Sequence, residues 1–226
     1  MRKISLLMLF FLLISVPNSS TAGDRCCFQQ RALQGLNYSS LLSSKEVITE
    51  FDGSTDYHDT SVKKIGPIFS VTAWIKPSTD KDRLIIGNDG DNRFQFAVNQ
   101  GDEPVLRVYV KNKDEIVADV RATVGAGLYD GNWHQAVAVV NLPYKEVYVY
   151  FDGKKVKGDD LEVIALNKGY LGKLSNSLFI GANNRGDVPS QSNGETITEF
   201  FNGSISDVRI YGRMLSPRQV RAIFNQ

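Results

Sequence analysis

Apolar residues recur at every second position over much of this chain. In one clear case, Phe69, Val71, Ala73 and Ile75 alternate with Ser70, Thr72 and Trp74. Successive side chains of a β-strand point to opposite faces, so this pattern predicts a strand with one face buried. Comparable short segments occur at residues 84–87, 94–98, 105–110, 116–120, 134–140, 147–151, 178–181 and 206–211. The chain is therefore predicted to consist mainly of strands.

Turn residues separate these segments at short intervals. Asp152-Gly153 lies between two strand-like runs and predicts a tight hairpin, because both residues tolerate the positive φ of such a turn. Further turns are predicted at Gly90, Gly131 and Asn202-Gly203. Short strands at this spacing are typical of an all-β fold in which two antiparallel sheets form a sandwich.

One helix is predicted, at the C-terminal end of the chain. Ser216 is a good N-cap residue, and Pro217 suits the first helical position. Val220, Ile223 and Phe224 form a small apolar stripe. We expect this helix to lie against the sandwich.

The N-terminal residues have the pattern of a secretory signal peptide. Arg2 and Lys3 precede an apolar run over residues 4–16, and small residues lead to a cleavage site after Ala22. The alternative is an uncleaved anchor, but a run of about 13 residues is shorter than the roughly 20 that span a bilayer. We predict a signal peptide over residues 1–22 and a secreted, extracellular protein. In a bacterial host the location would be the periplasm or the cell surface.

Two adjacent cysteines follow the predicted cleavage site. Cys26 and Cys27 lie in residues 23–45, which lack periodicity and are interpreted as a linker to a single domain over residues 46–226. Adjacent cysteines rarely pair with each other, because so small a ring strains the peptide bond between them. In an oxidising compartment they would instead form intermolecular disulfides with a partner. The alternative is that the pair is incidental.

Composition excludes several classes of protein. The hydrophobic fraction of 42% is enough for a core, which excludes a disordered chain. A net charge of +1 provides no excess to neutralise phosphates, so no nucleic-acid partner is expected. No later segment is apolar enough for membrane insertion after the signal is removed.

A series of short motifs points to a known fold. In chain order they are Phe51-Asp52-Gly53, the segment 69–77, Ile86-Gly87, the segment 130–137, Val149-Tyr150-Phe151-Asp152-Gly153, Leu178-Phe179-Ile180-Gly181, the segment 201–211 and Leu215-Ser216. Together they resemble the laminin G-like, concanavalin A-like jelly roll in a single-domain secreted form. The resemblance covers about residues 46–226 and implies two antiparallel sheets, one convex and one concave. This fold hosts lectins, adhesion modules, glycan hydrolases and spacers, so it does not determine function.

The resemblance also implies a structural Ca²⁺ site. Its residues in this chain would be Asp207, Asp52 and the backbone oxygen of Gly53, which supply the oxygen ligands that Ca²⁺ prefers. The alternative is that Asp52 only shapes a turn and that Asp207 pairs with Arg209.

Carbohydrate binding requires aromatic faces for sugar rings and polar groups for hydroxyls. Tyr148 and Tyr150 are candidate stacking residues, and Asn183, Asn184 and Arg185 lie in a predicted rim loop. We therefore expect these five residues to include ligand contacts.

The leading hypothesis is a secreted, non-catalytic recognition module that binds extracellular glycan or a glycosylated partner. The alternative is a structural or adhesive protein that contacts other proteins and is tethered through Cys26 and Cys27. The tripeptide Arg185-Gly186-Asp187 is interpreted as a chance loop sequence rather than an adhesion motif. A glycan hydrolase is third, because the chain lacks the Glu-x-Asp-x-x-Glu carboxylate run of such enzymes on this fold.

Overall fold

The structure is a computed structural model that describes residues 40–43, 49–78, 83–98, 104–113, 115–186 and 196–226. The predicted signal peptide, Cys26, Cys27 and Asp187 lie outside the described residues. In chain order, the strands are β1 (Ser40–Ser43), β2 (Thr49–Asp52), β3 (His58–Asp59), β4 (Ile68–Pro77), β5 (Arg83–Gly87), β6 (Asn92–Val98), β7 (Val105–Asn112), β8 (Glu115–Thr123), β9 (His134–Asn141), β10 (Glu146–Phe151), β11 (Lys154–Lys155), β12 (Leu161–Leu166), β13 (Phe179–Ile180), β14 (Asn183–Asn184), β15 (Ile197–Thr198) and β16 (Asn202–Tyr211). One α-helix, α1, spans Pro217–Phe224.

The strands form two 7-stranded antiparallel sheets and one short pair. Sheet A has the order β1-β16-β4-β9-β10-β11, with β2 also paired to β16. Sheet B has the order β12-β8-β7-β6-β5-β13-β3, and β14 pairs with β15. The predicted all-β jelly-roll sandwich with a C-terminal helix is confirmed.

The core lies between the two sheets and is built from alternate residues of their strands. On β4 the predicted face of Phe69, Val71, Ala73 and Ile75 is completely buried. Phe69 meets the sheet B residue Phe94 edge to face, with ring centroids 5.0 Å apart. The alternation of apolar and polar residues in the sequence therefore corresponds to one inward-facing apolar surface on each sheet.

The predicted hairpin at Asp152-Gly153 joins β10 to β11. Phe151 pairs with Lys154, and the two turn residues have φ values of 47° and 71°. Such left-handed values at both central positions belong to the type I′ turn, whose twist matches that of the flanking strands.

The helix α1 packs against the outer face of sheet A. Ser216 and Gln219 form a capping box at its start. Val220 and Ile223 are buried, and Phe224 stacks on Trp74 of β4 at 5.8 Å between centroids. The outer face of sheet A is therefore largely covered.

Candidate functional site

The outer face of sheet B carries a set of polar side chains at its centre. On β6, β7 and β8 every second residue points away from the core, and the register aligns these residues in rows across the strands. One row is Gln95, Tyr109 and Asp119, and the adjacent row contains Arg107 and Arg121. We call this surface the polar face; its members are Arg93, Gln95, Arg107, Tyr109, Lys111, Asp119 and Arg121.

A bidentate ion pair fixes the middle of the polar face. Arg107 donates from Nε to Asp119 Oδ1 and from Nη2 to Asp119 Oδ2, both at 2.7 Å. Burial alone would lower the pKa of Arg107, but the hydrogen bonds and charge of Asp119 raise it above its usual value. Arg107 therefore stays a fixed cation, and its planar group is locked in orientation.

Tyr109 lies among guanidinium groups. The Cζ atom of Arg107 is 4.9 Å from the centroid of the Tyr109 ring, and that of Arg93 is 5.7 Å away. Cation–π attraction of this kind orients both partners. The result is a pre-ordered arrangement of a phenol and two guanidinium groups on a partly exposed surface.

Asp89 links the polar face to the rim at β14. Asp89 forms an ion pair with Arg93, and its Oδ2 lies 3.5 Å from Arg185 Nη1. The Nδ2 group of Asn183 donates to the same Oδ2 at 3.4 Å, while Asn183 Oδ1 has no hydrogen-bond partner among the described residues. The predicted ligand residue Arg185 therefore lies at one edge of the polar face, whereas Asn183 is completely buried beneath it.

Asn184 has a structural role in the same segment. It lies on β14 rather than in the predicted loop, because Asn184 pairs with Ile197 of β15. Its side chain accepts a hydrogen bond from the Gly186 amide at 2.9 Å and donates to the Ser177 carbonyl at 3.2 Å. These bonds hold the segment and leave little capacity for a ligand.

Arg121 is the least constrained arginine of the polar face. Its nearest carboxylate is Glu162 on β12, at 3.8 Å and on a largely exposed side chain. The Nε atom of Arg121 is buried and has no hydrogen-bond partner among the described residues. The side chain is 34% exposed and its Nη1 lies 3.8 Å from Glu162, so its terminal nitrogens retain hydrogen-bonding capacity that a ligand could use.

The predicted stacking residues Tyr148 and Tyr150 lie on sheet A, on the other side of the molecule. Tyr150 is 2% exposed, so its ring face cannot meet a sugar, and the expectation for this residue was wrong. Tyr148 is covered by Lys155, whose Nζ lies 3.5 Å from the ring centroid. The structure therefore does not bring the two tyrosines together with Asn183, Asn184 and Arg185.

The residues of the expected Ca²⁺ site do not converge. Asp52 pairs with Asn202 on β16, whereas Asp207 lies five positions further along that strand, about 16 Å away at the usual rise per residue. A single Ca²⁺ ion requires all its oxygens within about 2.6 Å. Asp52 and Asp207 therefore cannot share one ion.

Each carboxylate of that expected site is already engaged. Asp52 accepts hydrogen bonds from the amides of Ser54 and Thr55 at 2.8 Å, and these bonds hold its pKa far below its usual value. Asp207 binds Arg209 Nε at 2.6 Å. No group of three or more His, Cys, Asp and Glu suited to a metal ion occurs in the described part of the chain. Calcium binding stays a prediction.

Gly53 follows Asp52 in a turn that excludes larger residues. Its φ is +76°, and an added Cβ would lie 2.9 Å from the Asn202 side chain. The turn and the close approach account for a glycine at this position without a metal.

His134 is held between two carboxylates. Its Nδ1 lies 2.9 Å from Asp152 Oδ2, and its Nε2 lies 3.0 Å from Asp130 Oδ1. Asp152 also accepts from the Gln135 amide at 2.8 Å, so the cluster ties the β10–β11 turn to the start of β9. This arrangement fits the structural role that the sequence indicated.

The sequence interpretation did not single out Arg107 and Asp119 at the centre of the polar face. Arg107 and Tyr109 alternate with Leu106, Val108 and Val110, which marked them as one face of a strand without showing that this face is open. A usable signal was the recurrence of polar residues at alternate positions in three consecutive strands, because such residues align across a meander.

Comparison with known proteins agrees with this architecture. A family model described as "Concanavalin A-like lectin/glucanases superfamily" matches residues 52–221. No curated protein sequence matches the chain. Within the described residues, no helix is long and apolar enough to cross a membrane.

Two solved structures have a similar fold. The Ruminococcus gnavus IT-sialidase CBM40 bound to α2,3-sialyllactose has a TM-score of 0.59 and 14% identity, covering 82% of this chain and 100% of that chain. The native heptameric SAP-like pentraxin from Limulus polyphemus has a TM-score of 0.56 and 14% identity, covering 77% of this chain and 80% of that chain. At these identities the likeness establishes a shared fold.

Proposed function

The chain belongs to the concanavalin A-like lectin/glucanase superfamily, and we propose that it is a non-catalytic module that binds carbohydrate on the polar face of sheet B. The observation that carries this proposal is the pre-ordered group of Arg107, Asp119 and Tyr109 at the centre of that face. Saccharide hydroxyls need donors and acceptors that are fixed before binding, because ordering loose side chains would oppose association.

The contrast between the two sheets supports this choice of surface. On sheet A, the outward residues Thr72, Gln135 and Tyr150 are buried, whereas Arg93, Tyr109 and Arg121 on sheet B keep partial exposure. A ligand that approaches the polar face therefore meets hydrogen-bonding groups rather than a packed helix.

The charge of the polar face favours an acidic saccharide. Its strands present four outward cations, Arg93, Arg107, Lys111 and Arg121. The three arginines pair with Asp89, Asp119 and the exposed Glu162, and Lys111 forms no ion pair with another residue that the structure describes. Guanidinium groups match the geometry of carboxylate and sulfate groups. The fold relative bound to sialyllactose, an acidic sugar, gives independent support for saccharide binding by this architecture.

The proposed module acts outside the cell. The basic, apolar and small-residue pattern of residues 1–22 supports export. An extracellular location would bring the polar face into contact with surface or matrix glycans.

A glycan array that contains neutral and acidic saccharides tests the proposal. We expect saturable binding by the purified chain, with acidic saccharides preferred. Tyr109→Ala should weaken binding by about tenfold, the usual effect of removing a central contact. Arg121→Gln should weaken binding to acidic saccharides more than to neutral ones.

Tyr148→Ala is the matched control, because it removes a partly exposed tyrosine from the opposite sheet. It should bind like the unmodified chain. The proposal fails if the array shows no saturable binding, or if Tyr109→Ala and Tyr148→Ala bind equally well.

A further inference from the structure

We propose that the chain docks on the surface of an anionic membrane through one end of its sandwich. Three connecting segments form this end: residues 61–67, which precede β4, residues 142–145, which join β9 to β10, and residues 167–175, which follow β12. We call them together the basic end. None of their residues belongs to the polar face, so this docking is independent of the proposed carbohydrate site.

Backbone hydrogen bonds hold the three segments together as one surface. The Leu142 amide donates to the Pro67 carbonyl at 3.1 Å, and the Gly169 amide donates to the Leu142 carbonyl at 3.4 Å. The Leu174 amide donates to the Lys63 carbonyl at 2.9 Å. Each segment is thus bonded to the other two, and the points from which their side chains project are fixed relative to one another.

All the charged residues of the basic end are cations. The three segments contain five lysines and no aspartate or glutamate, and the lysines are Lys63, Lys64, Lys145, Lys168 and Lys173. Every one of them is exposed, and none forms an ion pair with another residue that the structure describes. The carboxylate next to Lys145 in the chain, that of Glu146, instead accepts from Asn141 Nδ2 at 2.8 Å. The positive charge of the basic end is therefore available to an anionic partner.

Two of these lysines lie directly opposite each other. Lys64 and Lys173 form an isolated antiparallel bridge, so their backbones are paired at these positions. Like charges in opposite positions of paired chains destabilise the pairing. An anion that binds between the two ammonium groups would remove this repulsion, so the arrangement favours a partner that carries phosphate or carboxylate groups.

Two exposed tyrosines accompany the lysines. Tyr144 is 75% exposed and Tyr170 is 61% exposed, the highest values among the large hydrophobic residues that the structure describes. Both lie close in the chain to the hydrogen bond between Gly169 and Leu142. Tyrosine is favourable at the boundary between lipid and water, because its ring meets apolar chains while its hydroxyl stays hydrated.

The same features favour a membrane over a soluble polyanion. Saccharide sites are usually concave and enclose the ligand, whereas these two rings project from connecting segments with more than half of their surface exposed. All five cations are lysines, whose compact charge does not require the planar contact that arginine makes. Point charges on flexible stems and projecting rings suit a flat layer of lipid headgroups.

Docking through the basic end would leave the polar face open. The strand β6 begins beside this end, where the Asn92 Nδ2 group donates to the Lys173 carbonyl at 3.0 Å. The strand then runs away from the basic end, so the outward residues of sheet B would face sideways rather than towards the lipid. A docked chain could therefore hold a saccharide at the same time.

Co-sedimentation of the full chain with lipid vesicles tests the docking. The vesicles contain phosphatidylcholine alone or with about 30% phosphatidylserine, and a chelator ensures that no metal ion bridges protein and lipid. We expect binding to the anionic vesicles that weakens as the salt concentration rises. Lys64→Gln combined with Lys173→Gln should weaken this binding by about tenfold or more, since each lysine near such a surface contributes about fivefold.

Lys154→Gln combined with Lys157→Gln is the matched control, because it removes the same charge from exposed lysines beyond the far end of β10. It should bind vesicles like the unmodified chain. The apolar run over residues 4–16 is the same in all these variants, so its contribution to binding cancels in the comparison. The melting temperature of the Lys64→Gln and Lys173→Gln variant should not fall, because the substitutions remove a repulsion.

The tyrosines are tested without a change of charge. Tyr144→Ser combined with Tyr170→Ser should weaken binding to the anionic vesicles by about fivefold or more, because the apolar part of each ring is lost from the lipid boundary. Circular dichroism verifies that each variant is folded.

The docking is disproved if the unmodified chain binds anionic and neutral vesicles equally, or if the control variant loses as much binding as the Lys64→Gln and Lys173→Gln variant. Retention on immobilised heparin without binding to anionic vesicles would also overturn it, because the basic end would then serve a soluble polyanion. Saccharide binding on the array depends on the polar face and not on these lysines, so the two proposals can fail separately.

Discussion

Arg107 on β7 and Asp119 on β8 are diagonal neighbours that form an ion pair, and their side chains are 16% and 6% exposed. Replacing one member of such a pair leaves a charge that is shielded from water and lacks a partner. Replacing both members with apolar residues leaves no unpaired charge. The pair therefore makes the polar face sensitive to single changes and tolerant of a matched double change.

Arg107→Met should lower the free energy of unfolding by about 3 kcal/mol, because Asp119 loses its partner. The double variant Arg107→Met with Asp119→Leu should recover most of this loss. Arg121→Met is the control and should cost less than about 1 kcal/mol, since the Arg121–Glu162 pair is long and exposed. Urea unfolding measures the stability of all three variants. An Arg107→Met chain whose free energy of unfolding lies within about 1 kcal/mol of that of the unmodified chain would contradict this expectation.

The two carboxylates that bind His134, those of Asp130 and Asp152, make the stability of the fold depend on pH. Burial alone would lower the pKa of His134, but hydrogen bonds to Asp152 and Asp130 outweigh it and raise the pKa above its usual 6.5. Asn132 and His134 lower the pKa of Asp130 from 3.8 to about 2. Folding thus favours the imidazolium form of His134 more than the unfolded chain does.

A group whose pKa is raised on folding stabilises the fold below its unfolded pKa, and this contribution is lost as the pH rises through the folded pKa. The loss of unfolding free energy caused by His134→Gln should therefore be larger at about pH 5.5 than at about pH 9. Urea unfolding at both pH values measures the difference.

Titration of the His134 ring by NMR is the direct measurement. Its midpoint should lie above 6.5 in the unmodified chain and should fall in Asp152→Asn, which replaces the anionic partner of Nδ1. A midpoint that Asp152→Asn leaves unchanged would show that the carboxylate does not cause the shift.

The α1 helix depends on its N-cap. Ser216 Oγ accepts from the Gln219 amide at 3.3 Å, and Gln219 Oε1 accepts from the Ser216 amide at 2.9 Å. A helix of 8 residues has little stability of its own, so this box and the contact with sheet A together determine whether it forms.

Ser216→Ala should lower the free energy of unfolding by about 1 kcal/mol, the usual cost of losing such a cap. Ser216→Asp retains an acceptor, so its free energy of unfolding should stay within about 0.3 kcal/mol of that of the unmodified chain. Thermal unfolding compares them. Equal stability of the alanine and serine chains would indicate that the helix is held by its sheet contacts alone.

Some elements could be predicted from the sequence, and others could not, for identifiable reasons. The strand β4 was predictable because Phe69 to Ile75 alternate without interruption. The strand β12 was not, because the bulge at Ile164 breaks period two and leaves consecutive apolar residues. The pair β14–β15 was interpreted as a loop because an Asn-Asn dipeptide has low strand propensity.

For the whole molecule, the jelly-roll fold was predictable and the candidate site was only partly so. Ordered motifs and alternation indicate two sheets, but they do not show which outer face a later helix covers. That depends on Trp74 meeting Phe224, a contact between residues 150 positions apart in the chain. Tyr150 was therefore expected to be open when it is buried, and Arg107 was not recognised as part of the candidate site.

Because inward and outward residues alternate along β7, substitutions that affect the core fall at different positions from substitutions that affect the polar face. Leu106, Val108 and Val110 belong to the core, whereas Arg107 and Tyr109 belong to the polar face. Because the two sets never share a position, side chains such as Tyr109 can vary with little effect on the packing between sheets. A library randomised at the outward positions of β6 and β7 other than Arg107 should thus yield mostly folded chains with altered ligand preference. Its variable surface would be a sheet rather than the set of loops that antibodies use.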